Sequence, residues 1–250
     1  MIRMSALRRY GVALALTLAA PAVFAPAAQA QDKPPAALTQ RDHPAYADLY
    51  AAMEEAVDQR QVIESAMSAM SAQFAATPEF AQAEAASPGV IEEIVSGLRP
   101  VFTAQSERVR LLYRPANIAL FARTFTPEEA TTVAAFYRSD LGRKLMGNLS
   151  RTYVPTDTLA AAGSTGTVSR DNVDADLDRA VNAAVGGMTE EDMIAMGKMA
   201  LANPALLKLN RLTGAVKEIR VQMENEQLTA DEQKQIETVI IDVLTRRFQK

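Results

Sequence analysis

Apolar residues recur every three or four positions through most of this chain, which is the spacing of one face of a helix. Tyr46, Leu49, Met53, Ala56, Arg60, Ile63, Met67, Met70 and Phe74 form one such stripe. It predicts a single long helix ending near Pro78, capped by Asp42, with Pro44 in its first turn. Arg60 interrupts the stripe and is read as a side chain that reaches to the rim. A short helical piece is expected from Glu79 to Ala86, after which Ser87-Pro88 reads as the next cap and first-turn proline. Ile91, Ile94, Val95 and Leu98 mark the following face, and Pro100 is expected to end or kink that helix. Phe102, Gln105, Val109, Leu112 and Tyr113 carry the pattern on until Pro115 interrupts it, and Ile118 to Phe125 is a further amphipathic stretch. Strand alternation is nowhere sustained and β-branched clusters are few. The pattern predicts an all-α protein of amphipathic helices and helical hairpins.

Three helix starts resemble one another: FTPEE at Phe125, MTEED at Met188 and LTADE at Leu228. In each, a Thr precedes an acid placed at the third helical position, which is the pattern of a capping box. The Thr hydroxyl accepts from a backbone N–H one turn in, and the acid reaches back to the Thr N–H. The pairs are Thr126 with Glu129, Thr189 with Asp192, and Thr229 with Glu232. Each acid also meets the positive end of its helix dipole. Downstream, Val133, Met196 and Ile236 fall at equivalent positions, as do Phe136, Met199 and Val239, so the three helices are expected to share a buried face. The caps are spaced 63 and 40 residues apart, which excludes a regular solenoid. Two readings remain open: independent use of one capping solution, or a duplicated hairpin in which Lys144-Leu145 matches Lys208-Leu209 after one inserted residue. GSTGTVSRDN, residues 163–172, is the one long polar interruption and reads as a linker between helical lobes at 42–162 and 173–250.

The first thirty residues differ from the rest. Arg3, Arg8 and Arg9 precede an apolar run from Gly11 to Ala20, and Ala28-Gln29-Ala30 follows Pro21 and Pro26. This is the layout of a signal peptide over residues 1–30, and it is too short an apolar run to span a membrane. The expected address is the periplasm, with the extracellular space as the other exported destination, and residues 31–41 read as a flexible entry segment. Three of the 26 basic residues lie in that leader, leaving 23 against 30 acidic ones, so the mature charge is about −7 rather than −4. An acidic chain without a basic stripe is not expected to bind nucleic acid. With Cys 0 and His 1, the sequence offers no thiol chemistry, no disulfides and no His-based zinc site.

FTPEEATTVAAFYRSDLGRKLM, from Phe125 to Met146, resembles the core of a bacterial exported family known as domain of unknown function twenty-fifty-nine. Phe125, Thr126, Glu128, Glu129, Phe136, Tyr137, Ser139, Gly142, Lys144 and Leu145 match that family's pattern. Asp140 stands where the family usually has Pro, and either residue can open the next helix. The resemblance implies an α-helical exported protein and no particular reaction.

Within that segment Tyr137, Arg138, Arg143 and Lys144 form the candidate interaction cluster, as an anion or carboxylate clamp at the next helix N-terminus. The alternative puts Tyr137 in the core and the cations in solvent. Adjacent acids such as Glu54-Glu55, Glu92-Glu93, Glu128-Glu129 and Glu190-Glu191 point in different directions on a helix and read as first-turn or surface acids rather than a catalytic pair. Asp174, Asp176 and Asp178 have the alternate spacing of a calcium loop, but Arg179 and Val185 stand where it needs Gly and Glu. Met193, Met196 and Met199 suggest soft Cu(I) ligation but suit core packing better, and His43 has no catalytic neighbour. No catalytic, cofactor or metal residue is assigned. The expected function is a non-enzymatic protein–protein interaction module, by way of an unknown partner or self-association, with the stripe from Tyr46 to Phe74 burying itself either in its own core or against a partner. The alternative is a carrier of a small apolar ligand or lipid.

Overall fold

The computed structural model describes residues 42–249, and the expected leader and entry segment, 1–30 and 31–41, lie outside them. The described residues form twelve helical segments: α1 Pro44–Ala56, α2 Gln59–Ala76, α3 Pro78–Ala86, α4 Val90–Thr124, α5 Pro127–Arg138, α6 Asp140–Thr152, α7 Thr156–Thr165, α8 Arg170–Gly186, α9 Glu190–Ala202, α10 Pro204–Leu207, α11 Leu209–Glu224 and α12 Ala230–Phe248. No strand occurs among the described residues, so the fold is all-α. Nor is any of these helices long and apolar enough to cross a membrane.

The single helix expected from Tyr46 to Phe74 is two. Val57 leaves the helical region, and Asp58 caps α2 by accepting from the Gln61 N–H at 3.0 Å. The Asp58 N–H donates to the Ser150 hydroxyl on α6, 92 residues away, so a tertiary partner stabilises the break. The break re-phases the stripe: Val62, Ala66, Met67, Met70 and Phe74 turn inward, and Arg60 is exposed. Tyr46, Leu49, Met67, Met70 and Phe74 are buried in the chain's own core, which leaves that stripe no face for self-association. His43, not Asp42, caps α1, its Nδ1 accepting from the Ala45 N–H.

The stretches expected to be divided at Pro100 and Pro115 form one helix, α4, of 35 residues and about 50 Å. Each proline frees the carbonyl one turn back, on Ser96 and on Leu111, and these residues and both prolines are exposed, so water can take the freed acceptors. Ser87 does not cap α4. Glu84 does: its carboxylate accepts from Gly89 and Ile91 at 2.6 and 2.9 Å, while Gly89 takes the left-handed turn at φ 86°.

Helix α4 is the spine. Helices α1, α2, α3, α11 and α12 pack along it, α1 lies against α5, and α6 and α7 pack on α8. The interruption expected over 163–172 is narrower, because α7 runs to Thr165 and α8 starts at Arg170, with Gly166 at φ 71° between them. Asn225, at the end of α11, clips the turn by accepting from the Val168 N–H and donating to its carbonyl. Buried residues on both sides of the interruption, from Ala45 to Val243, belong to one continuous core cluster.

Candidate functional site

The α5–α6 hairpin is built from its turn outward. Ser139 caps α6 by accepting from the Gly142 N–H at 3.1 Å, and its hydroxyl also donates to the Phe136 carbonyl. A β-carbon on Gly142 would lie 2.0 Å from that same carbonyl oxygen, so only glycine permits so tight a return. Tyr137 is buried in the core, and desolvation raises its phenol.

The three cations of the candidate cluster do not converge. Arg138 forks onto Asp48 at 2.8 and 2.9 Å and reaches Glu55 at 2.9 Å, fastening α5 to α1. Arg143 holds Asp140 and donates to the Arg138 carbonyl. Lys144 donates to Asp192 at the start of α9. Each cation is already taken by a carboxylate of the chain, so the clamp reading finds no vacant anion site here.

All three predicted boxes close. In each, the Thr hydroxyl accepts from the third helical N–H and the acid accepts from the Thr N–H. A fourth, Ser169 with Asn172, opens α8 and was missed because its third position carries an amide rather than an acid. Each of the three acids is also gripped by a cation from elsewhere: Asp192 by Lys144, Glu129 by Lys208 at 2.7 and 2.8 Å, and Glu232 by Arg108 at 2.8 and 2.9 Å. The Lys144 ammonium, with the Thr189 hydroxyl and N–H, holds Asp192 down to about 2. Burial pushes Glu232 up, but Arg108 and the Thr229 cap outweigh it and lower the group overall. The two lysines matched across the hairpins are thus exchanged between them. The single inserted residue lies in the first limb, since α5 has 12 residues and α9 has 13.

The remaining candidates disperse. Glu54 faces Arg110 on α4 while Glu55 faces Arg138 on α5. Glu93 pairs with Arg246 and Arg247 on α12. Asp176 turns inward and caps α7 through the N–H groups of Asp157 and Thr158, whereas Asp174 and Asp178 turn the other way to Lys217. Met196 is buried, Met199 half-buried and Met193 exposed, so the three thioethers spread over more than one side of α9. Among the described residues no group of three or more His, Asp or Glu is placed to hold a metal ion.

One polar cluster was not legible in the sequence. Arg220 and Glu224, one turn apart on α11, are 3% and 1% exposed and meet at 2.5 Å. Arg220 also donates to the Tyr153 hydroxyl at 3.0 Å and lies over the Tyr153 ring. Burial works against the guanidinium charge, and Glu224 and Tyr153 more than restore it.

One exposed apolar surface among the described residues is the outer face of α9. This helix buries Met196 and Ala200 and tucks Met199 against the core, yet its opposite side shows Ile194, 50% exposed, and Leu201, 81% exposed. Met193 extends the apolar surface on one flank, and a β-carbon on Gly197 would meet nothing within 4 Å. The seven-residue interval between Ile194 and Leu201 is two helical turns, so both project the same way. An open cleft of about 520 Å3 lies elsewhere, between α4 and α12, lined by Gly97, Pro100 and Val101 on one side and by Asp231, Lys234 and Val239 on the other.

No curated protein and no solved structure matches the chain. Residues 114–150, which run from the end of α4 through the α5–α6 hairpin, match the model of a family described as an uncharacterized protein conserved in bacteria (DUF2059), in agreement with the resemblance carried by Phe125 to Met146.

Proposed function

We propose that this chain is an exported bacterial protein that acts by binding another protein through the outer face of α9, without chemistry of its own. The observation that carries the reading is the pair Ile194 and Leu201, two large aliphatic side chains aligned on one helix and left in water while the opposite side of the same helix is buried. Exposed aliphatic side chains aligned on one helix suit a helix-mediated contact. The carrier alternative draws less support, because the cleft between α4 and α12 is open and bordered by Asp231, Lys234 and Gln235 rather than enclosed by apolar walls. Export rests on the leader pattern over residues 1–30.

A photoreactive amino acid in place of Leu201, in the full chain expressed in a bacterial cell, tests the binding face. Linkage to a discrete protein that disappears with Ile194→Glu supports it; absence of any linked protein overturns it. Fractionation of the same cells tests export, with a mature chain beginning at Gln31 in the periplasm as the expected outcome.

A further inference from the structure

The outer stripe of α9 carries its charges in an order that selects a partner. Glu191, Ile194, Lys198 and Leu201 follow a spacing of three and four, which keeps them on one side of the helix. Glu191 and Lys198 are two turns apart and occupy the same flank of the apolar pair. Both are exposed, and neither has an ion-pair partner among the described residues. A parallel copy related by a two-fold axis along the helices would put the Glu191 and Lys198 flanks on opposite sides of the seam and form neither Glu191–Lys198 pair. An antiparallel copy, turned about a two-fold axis between Ile194 and Ala195, instead sets Glu191 of each against Lys198 of the other and forms both pairs at once. The same register carries Leu201 over the corner between α8 and α9 of the other copy, since Met188 and Leu201 are equally far from that axis. Gly186 and Gly187 are exposed there; a β-carbon on Gly186 would meet nothing within 4 Å, while one on Gly187 would meet Asn148 and the Ala183 and Ala184 carbonyls at 3.5–3.6 Å, so the open side of the corner is at Gly186.

Building on the reading that α9 is the binding face, we infer that its partner is a second copy of this chain, docked antiparallel through α9 about a two-fold axis between Ile194 and Ala195. One helix and its preceding corner make a contact at or below the roughly 1,200 Å2 where stable interfaces begin, so the dimer forms in proportion to concentration.

The chain contains no cysteine, so one introduced thiol reports the register directly. Near the axis the two copies' Cα atoms come within disulfide reach, about 4.4–6.8 Å. At Leu201 they stand roughly 20 Å apart along the helix, from the 1.5 Å rise per residue. Under a mild oxidant, Ile194→Cys is expected to give a linked dimer about tenfold faster than Leu201→Cys, because only the first pair meets disulfide geometry. Equal rates, or no linked dimer from either, overturn the register.

Sedimentation equilibrium of the unmodified full chain is expected to show a monomer–dimer equilibrium. Lys198→Glu is expected to weaken it about tenfold by setting acid against acid, and Glu191→Lys added to Lys198→Glu to restore it. A monomer at every concentration, or a dimer indifferent to both changes, overturns the second copy as partner. In that event the cross-linker at position 201 separates the two claims. Linkage in cells to a different protein removes the self-pairing and leaves the α9 reading, whereas no linkage to any protein removes both.

Discussion

Lys144, in the second limb of one helical hairpin, donates from its ammonium group to Asp192, the acid that closes the capping box of the other. The grip is returned: Lys208, between α10 and α11, donates to both oxygens of Glu129 in the first box. Each acid already accepts from the backbone at the positive end of its helix, and the lysine adds a tertiary partner. A local signal that starts a helix is thereby reused to fasten one hairpin to the other.

The Lys144–Asp192 contact makes the attachment of α9 acid-sensitive. The folded chain holds Asp192 at about 2, below the roughly 3.9 of an unfolded aspartate. A carboxyl lowered on folding contributes stability above its unfolded value, and that contribution is lost as pH falls through the folded one. The window is therefore about pH 4 down to about pH 2. Lys144→Met removes the largest cause of the depression, so loss of the Thr189 and Asp192 amide signals in an NMR acid titration is expected at higher pH. An unchanged titration would show that the lysine contributes nothing to the cap.

Two glycines stand at close approaches of different stiffness. The β-carbon of Gly142→Ala would meet the Phe136 carbonyl oxygen at 2.0 Å and the Tyr137 Cα at 3.0 Å, both backbone atoms that cannot swing aside. That of Gly97→Ala would meet only the Val239 Cγ1 methyl on α12, at 2.7 Å. Gly142→Ala is expected to destabilise by about 3 kcal/mol, at the upper end of overpacking costs. Gly97→Ala gains about 1 kcal/mol of helix propensity in mid-helix α4, which offsets much of its clash. Urea unfolding of the two variants should separate them clearly, and equal losses would contradict the distinction between backbone and side-chain obstruction.

What could be read from the sequence was local, and what could not be read was tertiary. The boxes at Thr126, Thr189 and Thr229 need only residues three positions apart, and all three close as spelled. The break at Asp58 depends on Ser150, a partner 92 residues on, and so the stripe through it looked continuous. Pro100 reads as an end or a kink and Pro115 as an interruption, because periodicity cannot show that Ser96 and Leu111 face solvent and let one helix run through both. The cations on the cap acids lie 48 to 124 residues from them, beyond any spacing rule. The outer face of α9 is not legible in its apolar periodicity, because Met193, Met196 and Met199 also recur at helical spacing while Ile194 and Leu201 stand on the opposite side of Met196.

Arg220 and Glu224 are both sealed from solvent, so removing one charge strands the other. Glu224→Gln is expected to cost about 3–5 kcal/mol, the usual penalty for breaking a buried pair. Replacing both, as Arg220→Met with Glu224→Leu, removes the charges together and should recover most of that loss. The Tyr153 hydroxyl, which accepts from Arg220 at 3.0 Å, loses its donor in the double variant, so recovery is expected to stop short of the parent. Denaturant midpoints of the parent, single and double variants decide the matter, and a double variant no better than the single would place the stability in shape rather than in paired charge.

Glu84 closes α3 onto α4. Its two oxygens accept from the Gly89 and Ile91 N–H groups, and these bonds hold the carboxyl below its ordinary value. The group is thus ionised when folded, and the cap should weaken as pH falls through the carboxylate range rather than as it rises. Glu84→Gln keeps an acceptor at one of the two amides, while Glu84→Ala removes both. Hydrogen exchange at Gly89 and Ile91 is therefore expected to quicken modestly in Glu84→Gln and strongly in Glu84→Ala, with amides in the middle of α4 unaffected. Equal exchange in parent and Glu84→Ala would mean that the left-handed turn at Gly89, with φ 86°, starts the spine helix without help from the carboxylate.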